Sequence, residues 1–521
     1  MAKYCKYKKL AQEVSYDSGI TWERTGVYVA GDLIEYHSLD CGYVPTYVFT
    51  WSGGTTAQTA NIDSDASSYT YNVVSTLDGV NIGYNYQLVQ FAPDWVNVTD
   101  DTDSSITFTV SENTTLSSRT ATLTLTQSGS NNTITLVITQ AERQSVGEYF
   151  TIVSLENSGS VTWYGNKMSY SVNGGSWSTP TSSVTINVSQ GDLVKWKGTE
   201  EPTQQGIGYF RSTKTITASG NTMSLLYGDN FSGQTSLSGK NFAFFSLFYF
   251  CDKLTDASSL SLPATTLSDC CYQQLFWGCS SLTAAPTLPA TTLTLQCYCD
   301  MFQGCSSLVT APSLPATTLA QGCYYGMFDG CASLQTAPSL LATEMKGECY
   351  KFMFQCCTSL TTAPALPATT LDAECYEYMF LGCTSLTTAP ALPATTLYWN
   401  CYAYMFQNCT SLTTAPQLQA TTLSQGCYME MFRGCTSLTT APELPAATLV
   451  TYCYQYMFSG CTSLSSITCL ATDISASNCT RDWVKGVASS GTFTKAASMN
   501  SWVQGVTKGI PSNWTVQDYS S

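Results

Sequence analysis

The chain has 521 residues, 44% of them hydrophobic and only 11% charged, with a formal charge of 21 − 36 = −15. That length implies about three to four domains. The apolar share excludes a disordered chain, and the acidic excess, which repels phosphates, excludes a nucleic-acid binder. The polar surface must be made of Ser, Thr, Asn, Gln and Gly, as is common in β-rich extracellular and virion proteins.

Residues 1–50 read as an N-terminal β module and a candidate for attachment to a particle. The opening MAKYCKYKKL is basic, but no apolar run follows it, so a secretory leader is not expected. SYDSGITW then carries a hairpin signal at Asp17-Ser18-Gly19, followed by GDLIEY. A related text returns as SYSVNGGSW (Ser169 to Trp177) before GDLVKW (Gly191 to Trp196). The pair reads as one hairpin design used in two modules, or as ordinary Gly-Asp turn chemistry. His37, the only histidine, stands in this first stretch, far in sequence from the cysteine-rich repeats; a lone histidine is expected to be structural.

Residues 51–142 alternate at period two in ITFTVSEN, RTATLTLTQ and NTITLVITQ, with Ser/Gly/Asn turns between, which predicts an antiparallel sandwich. DWVNV, FTVSENTTLSSRTATLTLTQ and the closing ITQ resemble a BACON domain, an immunoglobulin-like module of Bacteroidetes proteins and of phages that infect them. The resemblance implies carbohydrate or mucin binding and brings no catalytic motif. Residues 143–240 form a second β-rich module, with strands expected at SVTINV and DLVKW. FAFFSLFYFC (Phe242 to Cys251) is the most apolar run, about half a membrane span.

Residues 241–470 repeat one sentence. Cys279, Cys305, Cys331, Cys357, Cys383, Cys409, Cys435 and Cys461 recur every 26 residues, and Cys271, Cys297, Cys323, Cys349, Cys375, Cys401, Cys427 and Cys453 form a second series at the same period. Such a period marks a solenoid, in which each coil is its neighbour's core. Leu397, Cys401, Met405 and Cys409 lie four apart, which predicts a short helix capped by Thr395 and Thr396. Gly or Asn before the last cysteine predicts a left-handed stop, strained where Cys356 replaces it. SLTTAP predicts a short strand ending at Pro390. The 24 cysteines follow the repeat, so they are expected as stacked buried thiols. Disulfides between the two series stay open for an oxidising setting. Zinc is disfavoured, because Cys297-Tyr-Cys299, Cys270-Cys271 and Cys356-Cys357 are not Cys-x-x-Cys knuckles.

MF-x-GC-TSL-TTAP, as in Met379 to Pro390, resembles the BspA-like leucine-rich repeat, with a longer period and Met in place of a small residue. YFCDKLTDASSLSLP, with two extra residues, fits an atypical first coil, and residues 471–521, with Trp483, Trp502 and Trp514, a C-terminal cap. The expected fold is therefore mainly β: Ig-like, BACON-like sandwich modules followed by a leucine-rich-repeat α/β solenoid of 26-residue coils.

Asp329, Asp372, Glu374, Glu377 and Glu430 are scattered along the repeats and most suit an exposed helix face, so no carboxylate pair for glycoside hydrolysis is expected. We expect no enzyme, no cofactor and no metal. Copies differ most on the helix face, where Tyr378, Tyr398, Trp399, Tyr404, Tyr452 and Tyr456 gather as candidate ligand-binding residues, suited to sugar stacking or a protein partner, or to covering the solenoid's own flank. The resemblances imply a virion surface protein of a Bacteroidetes-infecting phage of the crAss-like type: a fibre, decoration or receptor-recognising component, made in the host cytoplasm. The alternative is a BspA-like adhesin on a bacterial surface. Expected partners are other virion proteins through the N-terminal modules, a host or mucus glycan or surface protein through the solenoid or BACON-like domain, and a second copy of the chain. Neither nucleic acid nor membrane insertion is expected.

Overall fold

The computed structural model describes residues 47–62, 67–90, 95–102, 104–111, 119–130, 132–140, 148–505 and 508–520, with the strands Cys5–Tyr7, Val14–Tyr16, Gly26–Val29 and Asp32–Tyr36. It is mainly β, 31% strand and 2% helix, without a closed barrel. Two compact units divide the chain, Met1–Arg143 and Gln144–Ser521. The predicted turn at Asp17-Ser18-Gly19 and His37 lie outside the described residues.

In the first unit, the alternation seen in sequence becomes two sheets over one core. Tyr47–Trp51, Ser67–Leu77, Ser105–Val110 and Val96–Thr102 pair in that order. Ala57–Ile62, Thr133–Gln140, Arg119–Gln127 and Tyr84–Gln90 form the other sheet, the first pair parallel. Every second residue is buried along Thr133–Gln140 and Ser105–Val110, as period two requires. Trp51, Ile106, Phe108, Leu123, Leu125, Leu136 and Ile138 fill the shared cluster. Trp51 Nε1 donates to the Thr135 carbonyl at 2.9 Å and Gln127 Nε2 to the Val48 carbonyl at 2.8 Å, tying one sheet to the other.

In the second unit, Ser169–Val172, Leu193–Lys197, Phe150–Ser154 and Ile216–Asn221 form an antiparallel sheet. Asn173 and Gly174 take positive φ and turn the chain back, so that Tyr170 bridges Ser178, as the Asn-Gly-Gly signal requires. Ile216–Asn221 also pairs in parallel with Leu254–Asp256 of the first coil. This module thereby seals one end of the stack, and a single hydrophobic cluster runs from Phe150 to Trp514. At the other end, Ser466–Cys469, Thr492–Lys495 and Thr515–Asp518 pair in parallel, while Trp483 Nε1 and Trp514 Nε1 donate to the Gly509 and Ala488 carbonyls at 2.9 and 2.8 Å.

The coils correct the expected helix. Among the described residues the only helices are Ser224–Tyr227 and Gly228–Asn230, both outside the repeats, so the α/β description fails for the coils. Each cysteine-bearing segment is a run of consecutive turns. In the run of Asp372 to Cys383, amides alternate in direction. Glu377, Met379, Leu381 and Cys383 donate three residues back, at 3.1–3.2 Å. Glu374, Tyr376, Tyr378, Phe380 and Gly382 donate to the next coil's Trp399, Cys401, Ala403, Met405 and Gln407 carbonyls at 2.8–3.2 Å. A helix would have spent all these amides internally. Period decides between the two. A strict four-residue repeat drifts about 40° per step on an α-helix, whereas one turn per four residues keeps Cys375, Met379 and Cys383 inward.

Every turn places one residue at positive φ, just before the buried cysteine or methionine: Glu374 (53°), Tyr378 (60°) and Gly382 (72°) in this coil. Cys356 adopts 56° at the place where most copies have glycine, so the fourth stop is not altered, only occupied by a residue that dislikes it. Thr395 and Thr396 cap no helix; their amides donate to Thr369 of the preceding coil. SLTTAP forms no strand in the middle coils, only single parallel bridges such as Thr362 to Thr388 and Thr388 to Thr414.

Side chains follow the same ladder. Tyr272, Tyr298, Tyr324, Tyr350, Tyr376, Tyr402, Tyr428 and Tyr454 stack with centroids 5.7–6.2 Å apart, and Phe276 to Phe458 stack beside them at 5.3–5.8 Å. Cys383 Sγ donates to the Phe354 carbonyl at 3.0 Å, and the bond recurs from Cys279 at 3.2 Å to Cys461 at 2.9 Å. The cysteines of the described residues are free thiols, and those of this series serve as small donors inside an apolar stack. Burial pushes Cys349 and Cys401 up to about 12, far from thiolate chemistry at neutral pH.

Phe380→Ala removes one rung of a fully buried ladder and is expected to cost about 3–5 kcal/mol. Cys356→Gly relieves left-handed strain and is expected to stabilise by up to about 1 kcal/mol. Urea midpoints of the two variants against wild type check both; an unchanged midpoint for Phe380→Ala contradicts stacking, and a lowered one for Cys356→Gly contradicts strain.

Candidate functional site

Because the inward positions are fixed by the ladder, the outward ones carry whatever differs between coils. The six sequence candidates fall into separate places. Tyr378 and Tyr404 stand in one file of positive-φ residues and stack at 4.3 Å and 11°. Phe352, which the sequence reading passed over as a site residue, extends the file, 4.6 Å from Tyr378, and Tyr325 meets Phe352 edge-on at 5.3 Å. Both faces of the Tyr378 ring are thus covered by neighbouring rings. Tyr456, two coils further on, lies between Arg433 and Arg481, whose guanidinium carbons are 5.6 and 5.9 Å from its centroid. Tyr452 is half-buried at φ 61°.

Tyr398 and Trp399 are different. They are 52% and 45% exposed and line an open depression of about 500 Å³ with Asn400, Ser424 and Gln425. The coils on either side have Asp372-Ala373 and Ser424-Gln425 there, so the aromatic pair belongs to one coil. Its backbone is held from both sides: the Trp399 carbonyl accepts from Glu374, and the Asn400 amide donates to Gln425, at 3.2 and 3.0 Å. Two adjacent aromatic side chains beside an amide pair and a hydroxyl can take the apolar face and the hydroxyl rim of a sugar ring.

The carboxylates are not scattered on an exposed helix face. Lys351 Nζ sits 2.5 Å from Glu374 and 2.6 Å from Glu377, and all three are largely buried. Glu430 is also buried, accepting from Gln407 Nε2 at 2.9 Å and from Arg433 at 2.6 Å. The burial of these carboxylates was not legible in the sequence, because it depends on partners in adjacent coils. Burial pushes the Glu377 carboxyl up to about 7, against the pull of Lys351. Burial raises Asp300 and Asp329 in the same direction. Among the described residues no three His, Cys, Asp or Glu side chains converge on a metal-sized centre, and no helix is long and apolar enough to cross a membrane.

The family model of BACON, described as a candidate N-terminal binding domain, matches residues 85–141, which run from Tyr84–Gln90 through Thr133–Gln140 of the first unit. The model of the BspA-type leucine-rich repeat region matches residues 270–413 and 377–480. No curated protein and no solved structure matches the chain. The chain therefore contains a BACON domain and BspA-type leucine-rich repeats, modules that suggest an adhesin-like surface-binding protein.

Glu377 is protonated in the fold at pH values where the unfolded chain, with its ordinary carboxylate near 4.5, is not. Its stabilising contribution is complete below about 4.5 and is lost as pH rises through about 7. Wild type is expected to lose stability relative to Glu377→Gln between pH 5 and pH 8. Parallel denaturation midpoints across that range are the contrary result.

Proposed function

We propose that this is an adhesive surface protein that binds glycans without catalysis, using the Tyr398–Trp399 depression as its sugar platform. The observation that carries the reading is the pair of exposed aromatics on a single coil, beside Asn400, Ser424 and Gln425. Stacking on such rings is weak at a single site, so many copies on one particle would supply the avidity. The N-terminal modules attach to the particle and the solenoid meets the host. The particle is the virion of a Bacteroidetes-infecting phage, where the chain is a fibre, decoration or receptor-recognising component. Free thiols throughout the coils, all but Cys356 buried, support folding in a reducing cytoplasm before release. That favours a virion part over an exported bacterial adhesin.

Host capsular polysaccharides displayed on a glycan array test the platform. Trp399→Ala is expected to lose at least tenfold in apparent affinity, while keeping the wild-type denaturation midpoint because its side chain is exposed. Unchanged binding removes the platform. Mass spectrometry of purified particles tests the virion assignment, and absence of the chain from them returns the reading to a bacterial surface.

A further inference from the structure

The β module that seals the first coil matches neither family model, yet it holds a concave site of its own. A pocket of about 350 Å³ opens between Leu193–Lys197 and the segment of the two short helices. This volume is at the small end of ligand pockets, which begin near 300 Å³. Its lining combines three hydroxyls, Ser169, Thr179 and Thr199, with the Asn230 amide, the Tyr227 ring and two pairs of opposite charge, Lys167 and Lys197 against Glu200 and Asp229.

Five of the lining side chains are held before any ligand arrives. Lys197 Nζ bonds both oxygens of Asp229, at 2.7 and 2.9 Å, and lies 4.2 Å from the Trp177 centroid. Tyr149 donates its hydroxyl to the same carboxylate at 2.5 Å. Lys197 and Tyr149 hold the Asp229 carboxyl below the usual range, so it stays an acceptor. Ser169 and Thr179 share a hydrogen bond at 2.8 Å, and the Tyr227 hydroxyl is tied to the Ser236 carbonyl at 3.1 Å. The Gly228 amide donates to the Gly198 carbonyl at 2.8 Å and fixes the two sides of the pocket relative to each other. Gly228, at φ 52° and ψ −126°, has a conformation open only to glycine.

The charges cancel, so an ionic ligand gains no net attraction. What remains is a lining of donors and acceptors, five of its side chains held in place, around one ring, which fits a ligand with many hydroxyls and one apolar face. We propose that this pocket binds a single neutral pyranose residue of a glycan, with Asp229, Lys197, Thr199 and Asn230 meeting its hydroxyls and Tyr227 its carbon face. The site is separate from the Tyr398–Trp399 platform and does not depend on it. A preorganised pocket loses little entropy on binding, which lets a monosaccharide be held measurably.

Saturation-transfer NMR and calorimetry on the full chain test this with glucose, galactose, mannose and N-acetylglucosamine, and with glucuronate as the charged control. At least one neutral sugar is expected to bind, and glucuronate more weakly. Measured in a Trp399→Ala background, so that the platform contributes nothing, Asp229→Ala and the pocket-filling Thr199→Trp are each expected to weaken that binding at least tenfold. Thr199 is exposed, so Thr199→Trp tests occupancy even if Asp229→Ala disturbs the Lys197 contacts. Failure of all four neutral sugars to bind wild type overturns the proposal. So does preference for glucuronate, or binding that survives Thr199→Trp in that background or disappears with Trp399→Ala alone, the last of which would assign the sugar to the solenoid.

Discussion

Half the amides in each turn run leave their own coil. That one choice, a backbone N–H given to the next coil's carbonyl, dictates the rest of the repeat. It requires that the donors point along the stack, which a helix does not allow and a train of turns does. It requires a residue at positive φ in every turn, and therefore tolerance of strain by Glu, Tyr, Phe, Gln and Cys at places where glycine would be easier. It also fixes the coil spacing, so identical side chains meet their own kind: Tyr on Tyr, Phe on Phe, thiol on the neighbouring carbonyl. Each rung gains its stability from the rung beside it, so a terminal rung is incomplete. The β module at one end and the three-stranded parallel sheet with its tryptophans at the other complete those two rungs.

Function follows from what this constraint leaves free. Inward positions admit almost no variation, but outward positions only have to tolerate positive φ or stay exposed. A run of coils can therefore present an aromatic file at one place, a lysine between two glutamates at another, and two bare aromatic side chains at a third, on the same scaffold. The file Phe352–Tyr378–Tyr404 shows that aromatic side chains alone do not make a sugar platform, since its rings cover each other. Tyr398 and Trp399 differ because the neighbouring coils place Asp, Ala, Ser and Gln there.

The pocket on the sealing module shows the complementary strategy. Its groups are not repeated; they come from strands and short helices whose loops are pinned by Lys197, Asp229 and Tyr149. On the function proposed above, the two kinds of site complement each other, since a pocket with fixed groups selects a residue and open sites add avidity.

Much of this was legible in the residues. The 26-residue period gave the stack, and period two gave the sheets of the first unit, because those periodicities map directly onto coil and strand geometry. The texts around Asp94–Val98 and Met379–Pro390 carried the two families that the family models match. The local form of the coil was not legible. Cys375, Met379 and Cys383 at four-residue spacing suit a helix face and a train of turns alike, and only the hydrogen bonds between coils choose between them. For the same reason, sequence could nominate six aromatic residues but not say which were covered; burial of Tyr378, Glu377 and Glu430 depends on neighbours in adjacent coils. The chain's own order of residues determined that it stacks and what it stacks with. Tertiary structure alone decided which way each amide points, and hence which side chains remain for a ligand.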